Sequence, residues 1–108
     1  MSKITRLERM RYSIITNDLE HCFICGRPKD HLHEIYFGKN RVNSMKYGCV
    51  APLCTNCHVG YKGVHNNKEV DIKLKELCQK KFQETYPELN FLQIFHKNYI
   101  WLSSYFTL

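Results

Sequence analysis

The chain has 108 residues, which is enough for one domain with a modest core and too short for a second domain. Sixteen Lys and Arg against ten Asp and Glu give a formal net charge of +6, which favours an anionic partner without identifying one. No apolar run approaches the ~18 residues of a membrane span, and the charged N-terminal residues argue against a secretory signal. We therefore expect a cytoplasmic protein without a membrane partner.

Residues 1–20 form a basic segment with weak helical periodicity. Leu7, Met10 and Ile14 recur at helical spacing in this segment. We interpret it as an N-terminal arm or helix that packs late or contacts a partner, and residues 21–108 as the domain proper.

Two cysteine pairs with identical spacing are the most specific motif. Thiols stay reduced in the cytosol, so paired cysteines there bind metal more often than they form disulfides. Two turns of the CxxC type supply the tetrahedral sulfur shell of a structural zinc ion, and Gly26 suits the turn after the first pair. The predicted zinc ligands are Cys22, Cys25, Cys54 and Cys57.

Two strands are predicted between the cysteine pairs, at residues 32–37 and 48–53. The segment that joins them, "GKNRVNSMKYG", is too long for a tight hairpin turn, and a helical turn within it would fit its length. The cysteine motifs therefore flank a small antiparallel unit.

The chain after the second cysteine pair has helical periodicity. From Asn66 onward, apolar residues recur on one face, and Pro87 ends the predicted helix near Tyr86. Asn66 and Glu69 are the predicted capping pair. The residues expected on the solvated face are Lys73, Lys75, Glu76 and Lys80.

The remaining apolar residues are assigned mainly to the core. The segment from Leu89 is predicted to form a short helix and then extended chain, and Trp101 and Tyr105 would stack on a base only if exposed. Cys49 and Cys78 lie outside both cysteine pairs and are expected to be small buried hydrophobes.

The strand–loop–strand–helix order, with a four-cysteine site, resembles the HNH family of ββα-metal nucleases in its four-cysteine zinc form. The resemblance covers about residues 20 to 99 and is strongest for small HNH proteins of bacteriophages and prophages. It is carried by "LHEIYFGKNR", "KYG", "PLCTNCH", "GVH" and the Lys-rich helix. It implies an α+β, zinc-stapled ββα-metal domain with flanking helices, in a bacterial or phage-infected cell, that cleaves phosphodiester bonds in DNA.

In this family the first strand carries a residue pair whose first member binds a catalytic metal and whose second member is the general base. The corresponding pair here is His33-Glu34. In strict register His33 would be the ligand and Glu34 the base. We favour the reverse, because an imidazole is the better base at neutral pH and Mg²⁺ or another divalent ion would accept a carboxylate oxygen. His31 would share the face of His33 in a regular strand.

The resemblance also implies a closing metal ligand just after the second cysteine pair. His58 follows that pair directly, whereas His65 lies closer to the predicted helix and is favoured because a helix start would aim it rigidly. Many family members have Asn five residues before the second pair, where this chain has Cys49. A backbone carbonyl could replace it in orienting the base, as could Asn40, Asn43 or Asn56.

Basic residues beside the predicted site are expected to contact DNA phosphates. Arg41 is the first choice, because "KNR" is similar to the family motif and a guanidinium can bind phosphate with two hydrogen bonds. The other candidates, which would make binding fall with salt, are Lys39, Lys46 and Lys62.

Two functions are consistent with these features. The first is a metal-dependent endonuclease acting on DNA, as one chain or as a homodimer, with His33, Glu34 and His65 in its site. The second is a non-catalytic zinc-binding module that binds nucleic acid or a phage protein, which leaves the histidines without a role.

Overall fold

The structure, a computed structural model, describes residues 2–100. Within them the fold is α+β, with a two-stranded sheet and five α-helices, which confirms the predicted class. The elements in chain order are α1 (Lys3–Arg9), β1 (His31–Glu34), a 3₁₀ turn (Gly38–Asn40), α2 (Arg41–Lys46), β2 (Val50–Leu53), α3 (Thr55–His58), α4 (Lys68–Thr85) and α5 (Phe91–Phe95).

The two strands pair antiparallel, with His31 opposite Leu53 and His33 opposite Ala51. Every residue of β2 is buried, whereas β1 has one buried residue, His33. Both strands lie where the sequence predicts them but are shorter. The predicted first strand does not continue to residue 37, because the Tyr36 amide donates to a side-chain hydroxyl of α2.

The N-cap of helix α4 lies one residue later than predicted. The side chain of Asn67 accepts hydrogen bonds from the amides of Glu69 and Val70, as an N-cap does. Asn66, the residue predicted to cap, instead donates to the backbone carbonyls of Val59 and Gly60, which follow α3, and so closes the loop between α3 and α4. The helix ends at Thr85, before Pro87, in agreement with the sequence.

The core lies between the sheet and the C-terminal helices. Aromatic rings of Tyr36, Phe82, Phe91 and Phe95 stack at centroid distances of 4.5–5.9 Å. Cys49 and Cys78 have no exposed surface, which confirms their prediction as buried small residues. Trp101 and Tyr105, the predicted base-stacking residues, lie outside the described part of the chain.

The N-terminal segment packs on the domain although helix α1 itself buries no residue. The hydroxyl of Tyr12 donates to the carbonyl of Lys46, and the amide of Ile14 donates to the carbonyl of Gly48. The predicted helical spacing does not extend to Ile14, because α1 ends at Arg9 and Met10 is 73% exposed. Between residues 2 and 100, no helix is both long enough and apolar enough to cross a membrane.

We predict that Gly48→Ala destabilises the protein more than Gly38→Ala. Both glycines have positive φ, +74° and +71°, so alanine costs roughly 1–2 kcal/mol at either position. A Cβ at Gly48 would also lie 2.5 Å from the ring of Tyr12, whereas a Cβ at Gly38 meets no atom within 4 Å. The crowding should add about 1–3 kcal/mol to the loss at Gly48 in urea denaturation. Equal losses would mean that Tyr12 does not occupy this position.

Candidate metal centres

Two tight turns position the four predicted zinc ligands. In the first, the amide of Gly26 donates to the carbonyl of Cys22, and Gly26 has a φ of +80°. In the second, Cys54 is the N-cap residue of α3, and the carboxylate of Asp30 caps that helix by accepting from the amide and hydroxyl of Thr55. These hydrogen bonds lower the pKa of the Asp30 carboxyl, so the capping group stays ionised.

The four cysteine sulfurs lie within 4.8 Å of one another, and the Sγ atoms of Cys25 and Cys54 are 3.6 Å apart. Zinc–sulfur bonds of about 2.3 Å require sulfur separations of roughly 3.8 Å in a tetrahedron, so the cluster can bind a metal ion such as zinc. Although burial opposes ionisation of the Cys22 thiol, backbone amides that point at its sulfur lower its pKa to about 6. The structure thus brings all four predicted ligands together.

A second cluster consists of His33, His58 and His65, whose ligand atoms also lie within 4.8 Å of one another. The Nε2 atoms of His58 and His65 are 3.1 Å apart, and the ring centroid of His33 is 5.0 Å from each of the other two. The sequence left His58 and His65 as alternatives, and the structure places both beside His33. Three neutral imidazoles at this spacing can hold one metal ion.

The elements next to the four-cysteine cluster determine where each histidine lies. His33 lies at the centre of β1, and His58 is the last residue of α3, directly after the second cysteine pair. The loop after α3 folds back on it, with the His65 amide donating to the His58 carbonyl and the Val64 amide to the Cys57 carbonyl. A Cβ at Gly63 would lie 2.7 Å from a backbone oxygen of α3, so this close approach requires glycine.

His33 is a buried imidazole whose ligand atom belongs to the histidine cluster. It is 2% exposed, and its buried Nε2 has no hydrogen-bond partner among the described residues. Burial, together with the charges of His58, His65 and Lys75, lowers its pKa to about 3. A group with that pKa is neutral at pH 7, so one ring nitrogen carries a lone pair. The assignment of His33 as the general base stays a prediction.

Glu34 is not among the residues whose ligand atoms converge in the histidine cluster, and its assignment as a metal ligand stays a prediction. It directly follows His33 on β1, so the two side chains leave the strand on opposite faces, although the Glu34 carboxylate is close enough to act electrostatically on His58. The Glu34 carboxylate accepts hydrogen bonds from Arg11 and from Arg41 Nε, the latter at 3.2 Å. It therefore fastens the N-terminal arm to the domain.

The predicted phosphate-binding residues differ in whether their charged groups are already paired within the protein. Arg41, the favoured one, donates to Glu8 at 2.9 Å in addition to its bond with Glu34, and these carboxylates raise its pKa. The other three predicted contacts, Lys39, Lys46 and Lys62, are exposed.

Among residues 2–100, none of the three candidate replacements for the family's Asn forms a hydrogen bond to a histidine. The side-chain amides of Asn40 and Asn43 donate to backbone carbonyls of Phe95 and Ile94, at 3.2 and 3.3 Å. Asn56 is exposed in α3 between the cysteines of the second pair. The histidine rings must therefore be oriented by groups other than these three asparagines.

The structure adds two neighbours of the histidine cluster that the sequence did not single out. The ring of Phe37 lies 4.8 Å from that of His65 and 5.8 Å from that of His33. The Nζ atom of Lys75 lies 4.2 Å from the Phe37 ring centroid and 2.9 Å from Asp71. Lys75 is buried rather than solvated as predicted, because its ammonium group packs against the rings of Phe37 and Tyr99 and pairs with Asp71. The spacing of Lys75 from Asp71, i to i+4 on a helix, was the sequence feature that could have predicted this ion pair.

Comparison with known proteins returned no match to a protein family, to a curated protein or to a solved structure. The function has therefore to be inferred from the geometry of the two clusters.

We predict that Cys25→Ser lowers zinc retention whereas Cys78→Ala does not. Cys25 is exposed and contributes mainly its sulfur, so its replacement removes a metal ligand with little loss of packing. A structural zinc site supplies roughly 10–16 kcal/mol of apparent binding free energy, comparable to the stability of a domain. Chelator competition, followed by circular dichroism, should therefore show that Cys25→Ser loses zinc and helical signal first. Equal retention by both variants would contradict the four-cysteine site.

We also predict that Glu34→Gln lowers the free energy of unfolding by roughly 1–3 kcal/mol, because it removes charged hydrogen bonds to two arginines. Glu69→Gln, which breaks an exposed helical pair with Lys73, is the matched control and should cost less than about 0.5 kcal/mol. Urea denaturation measures both. If Glu34→Gln left stability unchanged and abolished metal binding at the histidines instead, Glu34 would be a ligand as first predicted.

Proposed function

We propose that this protein is a metal-dependent endonuclease of the HNH, or ββα-metal, type that hydrolyses phosphodiester bonds in DNA. One observation supports the proposal above the others: three imidazoles converge beside the four-cysteine cluster, on the elements that this cluster holds in place. A purely structural zinc module requires only the cysteines. The histidine cluster therefore suggests a second ion with a chemical role.

The donor set indicates which ion the second site would hold. Imidazole nitrogens suit zinc, cobalt, nickel or copper ions, whereas Mg²⁺ prefers oxygen ligands. Because the Glu34 carboxylate is engaged by two arginines, the site offers three imidazole nitrogens and no free carboxylate oxygen from Glu34. We therefore favour a transition metal over the Mg²⁺ that the sequence suggested. Such an ion supplies Lewis acidity toward a phosphate oxygen and lowers the pKa of a coordinated water.

The three histidines would hold the ion, and a neighbouring aromatic ring would contact the substrate. His33 would enter as a neutral ligand, because its burial disfavours the protonated form. His58 and His65, which are less buried, would complete the set on the solvent side. Phe37 is 40% exposed next to His65 and would contact a substrate that approaches this face.

The basic surface would supply the attraction for DNA. Lys39 and Lys62 are exposed in the segments that follow β1 and α3, the elements that carry the histidines. Lysines in such positions bind phosphates without reading bases, so we expect salt-sensitive binding with little sequence preference.

The alternative function is a non-catalytic zinc-binding module for nucleic acid. It is favoured by the pairing of Glu34 and Arg41, two residues that the family resemblance assigns to the site and that here hold the arm. In this alternative the basic surface would bind DNA and no bond would be cleaved.

Plasmid nicking by the zinc-loaded chain tests the proposal. We expect nicking when cobalt, nickel or further zinc is added, and weaker nicking with Mg²⁺. His65→Asn should reduce the rate by more than about 10-fold at limiting metal, because it removes an exposed ligand without opening the core, and loss of a group that only orients a ligand already costs about 10–100-fold. His96→Asn is the matched control, since His96 is exposed at a φ of +69°, which Asn tolerates, and should keep parental activity.

A gel-shift assay on the same proteins separates the two functions. If none of the proteins nicks DNA with any of the ions while all of them bind it equally, the endonuclease proposal is wrong and the binding module is correct. Equal nicking by His65→Asn and the parent would contradict the assigned site.

A further inference from the structure

His31 lies next to the histidine cluster and is bonded to one member of it. It occupies the same face of β1 as His33, two residues away, and its Nδ1 atom lies 3.2 Å from Nδ1 of His58. The two rings have a centroid distance of 4.9 Å and an interplanar angle of 50°. His31 is exposed and is not one of the three histidines whose ligand atoms lie mutually within 4.8 Å.

His58 thus has a partner at each ring nitrogen. Its Nε2 points to Nε2 of His65 inside the cluster, and its Nδ1 points to His31 outside it. A neutral imidazole carries one proton, so a lone pair on Nε2 requires the proton to be on Nδ1. In that tautomer the His58 Nδ1–H donates to His31, and His31 accepts with its own Nδ1.

We propose that His31 is a positioning residue that fixes the tautomer and ring orientation of His58 for metal binding through Nε2. The inference rests on the metal centre of the proposed function and assigns to it a partner that the sequence did not. Ligating histidines commonly donate their second N–H to a nearby acceptor, and loss of that acceptor typically weakens metal affinity by about 10–100-fold. His31 is the residue that supplies this acceptor here.

Three substitutions at residue 31 separate hydrogen bonding from shape. Asn places its side-chain oxygen at the position of Nδ1, Leu has the same branching without an acceptor, and Gln moves the oxygen to the position of Nε2. All three fit an exposed strand position, so none should prevent folding. Cobalt titration of the zinc-loaded full chain, followed by absorbance, measures affinity at the nitrogen site, and thiolate charge-transfer bands reveal any exchange into the cysteine site.

We expect His31→Leu and His31→Gln to weaken cobalt affinity by about 10–100-fold and His31→Asn to restore it close to the parental value. Long-range ¹H–¹⁵N spectra of the zinc-saturated parent should show His58 protonated on Nδ1. Nuclease activity of His31→Leu should recover at saturating metal, since the residue acts through the ligand.

Parental affinity in His31→Leu would overturn the inference, as would an Asn variant as weak as the Leu variant. A parent that bound no cobalt at the nitrogen site would overturn both the inference and the proposed metal centre. If affinity followed the predicted order while no protein nicked DNA, the inference would be supported and only the nuclease activity would be wrong.

Discussion

The arrangement of the sheet and α3 depends on the convergence of four cysteine sulfurs. The two cysteine turns are separated in sequence by residues 26–53, and that segment contains both strands and the α2 connection. Bringing the sulfurs to within 4.8 Å of one another therefore closes the sheet and fixes α3 against it. A metal ion bound by these sulfurs would supply much of the stability of a chain with so modest a core, because metal binding and folding would then be the same transition.

The histidine cluster depends on this closure. His33 belongs to a strand inside the closed segment, His58 directly follows the last cysteine, and His65 returns to the same place through a loop bonded to α3. Each imidazole is thus held by backbone that the cysteines fix. Burial of an unpartnered His33 nitrogen is costly unless an ion or another group binds it, which is consistent with a site that is completed by metal.

The sequence predicted the features that have local signals. Spacing revealed the four-cysteine cluster, periodicity revealed the strands and α4, and His58 and His65 were both proposed as ligands although the choice between them was left open. The bond from Arg11 to Glu34 could not be predicted, because Arg11 lies 23 residues away in the N-terminal arm and such a contact leaves no periodic pattern. Lys75 was assigned to the surface because burial of an ion pair against Phe37 depends on tertiary packing. The His31–His58 bond likewise becomes visible only when β1 and α3 are brought together.

Anomalous scattering at the zinc absorption edge, from crystals of the zinc-saturated protein, would show directly whether two ions bind. We expect two peaks, one enclosed by the four cysteine sulfurs and one bounded by nitrogens of His33, His58 and His65. A single peak with a mixed cysteine and histidine shell would contradict this expectation. A second peak bound by Glu34 instead of His33 would do so as well.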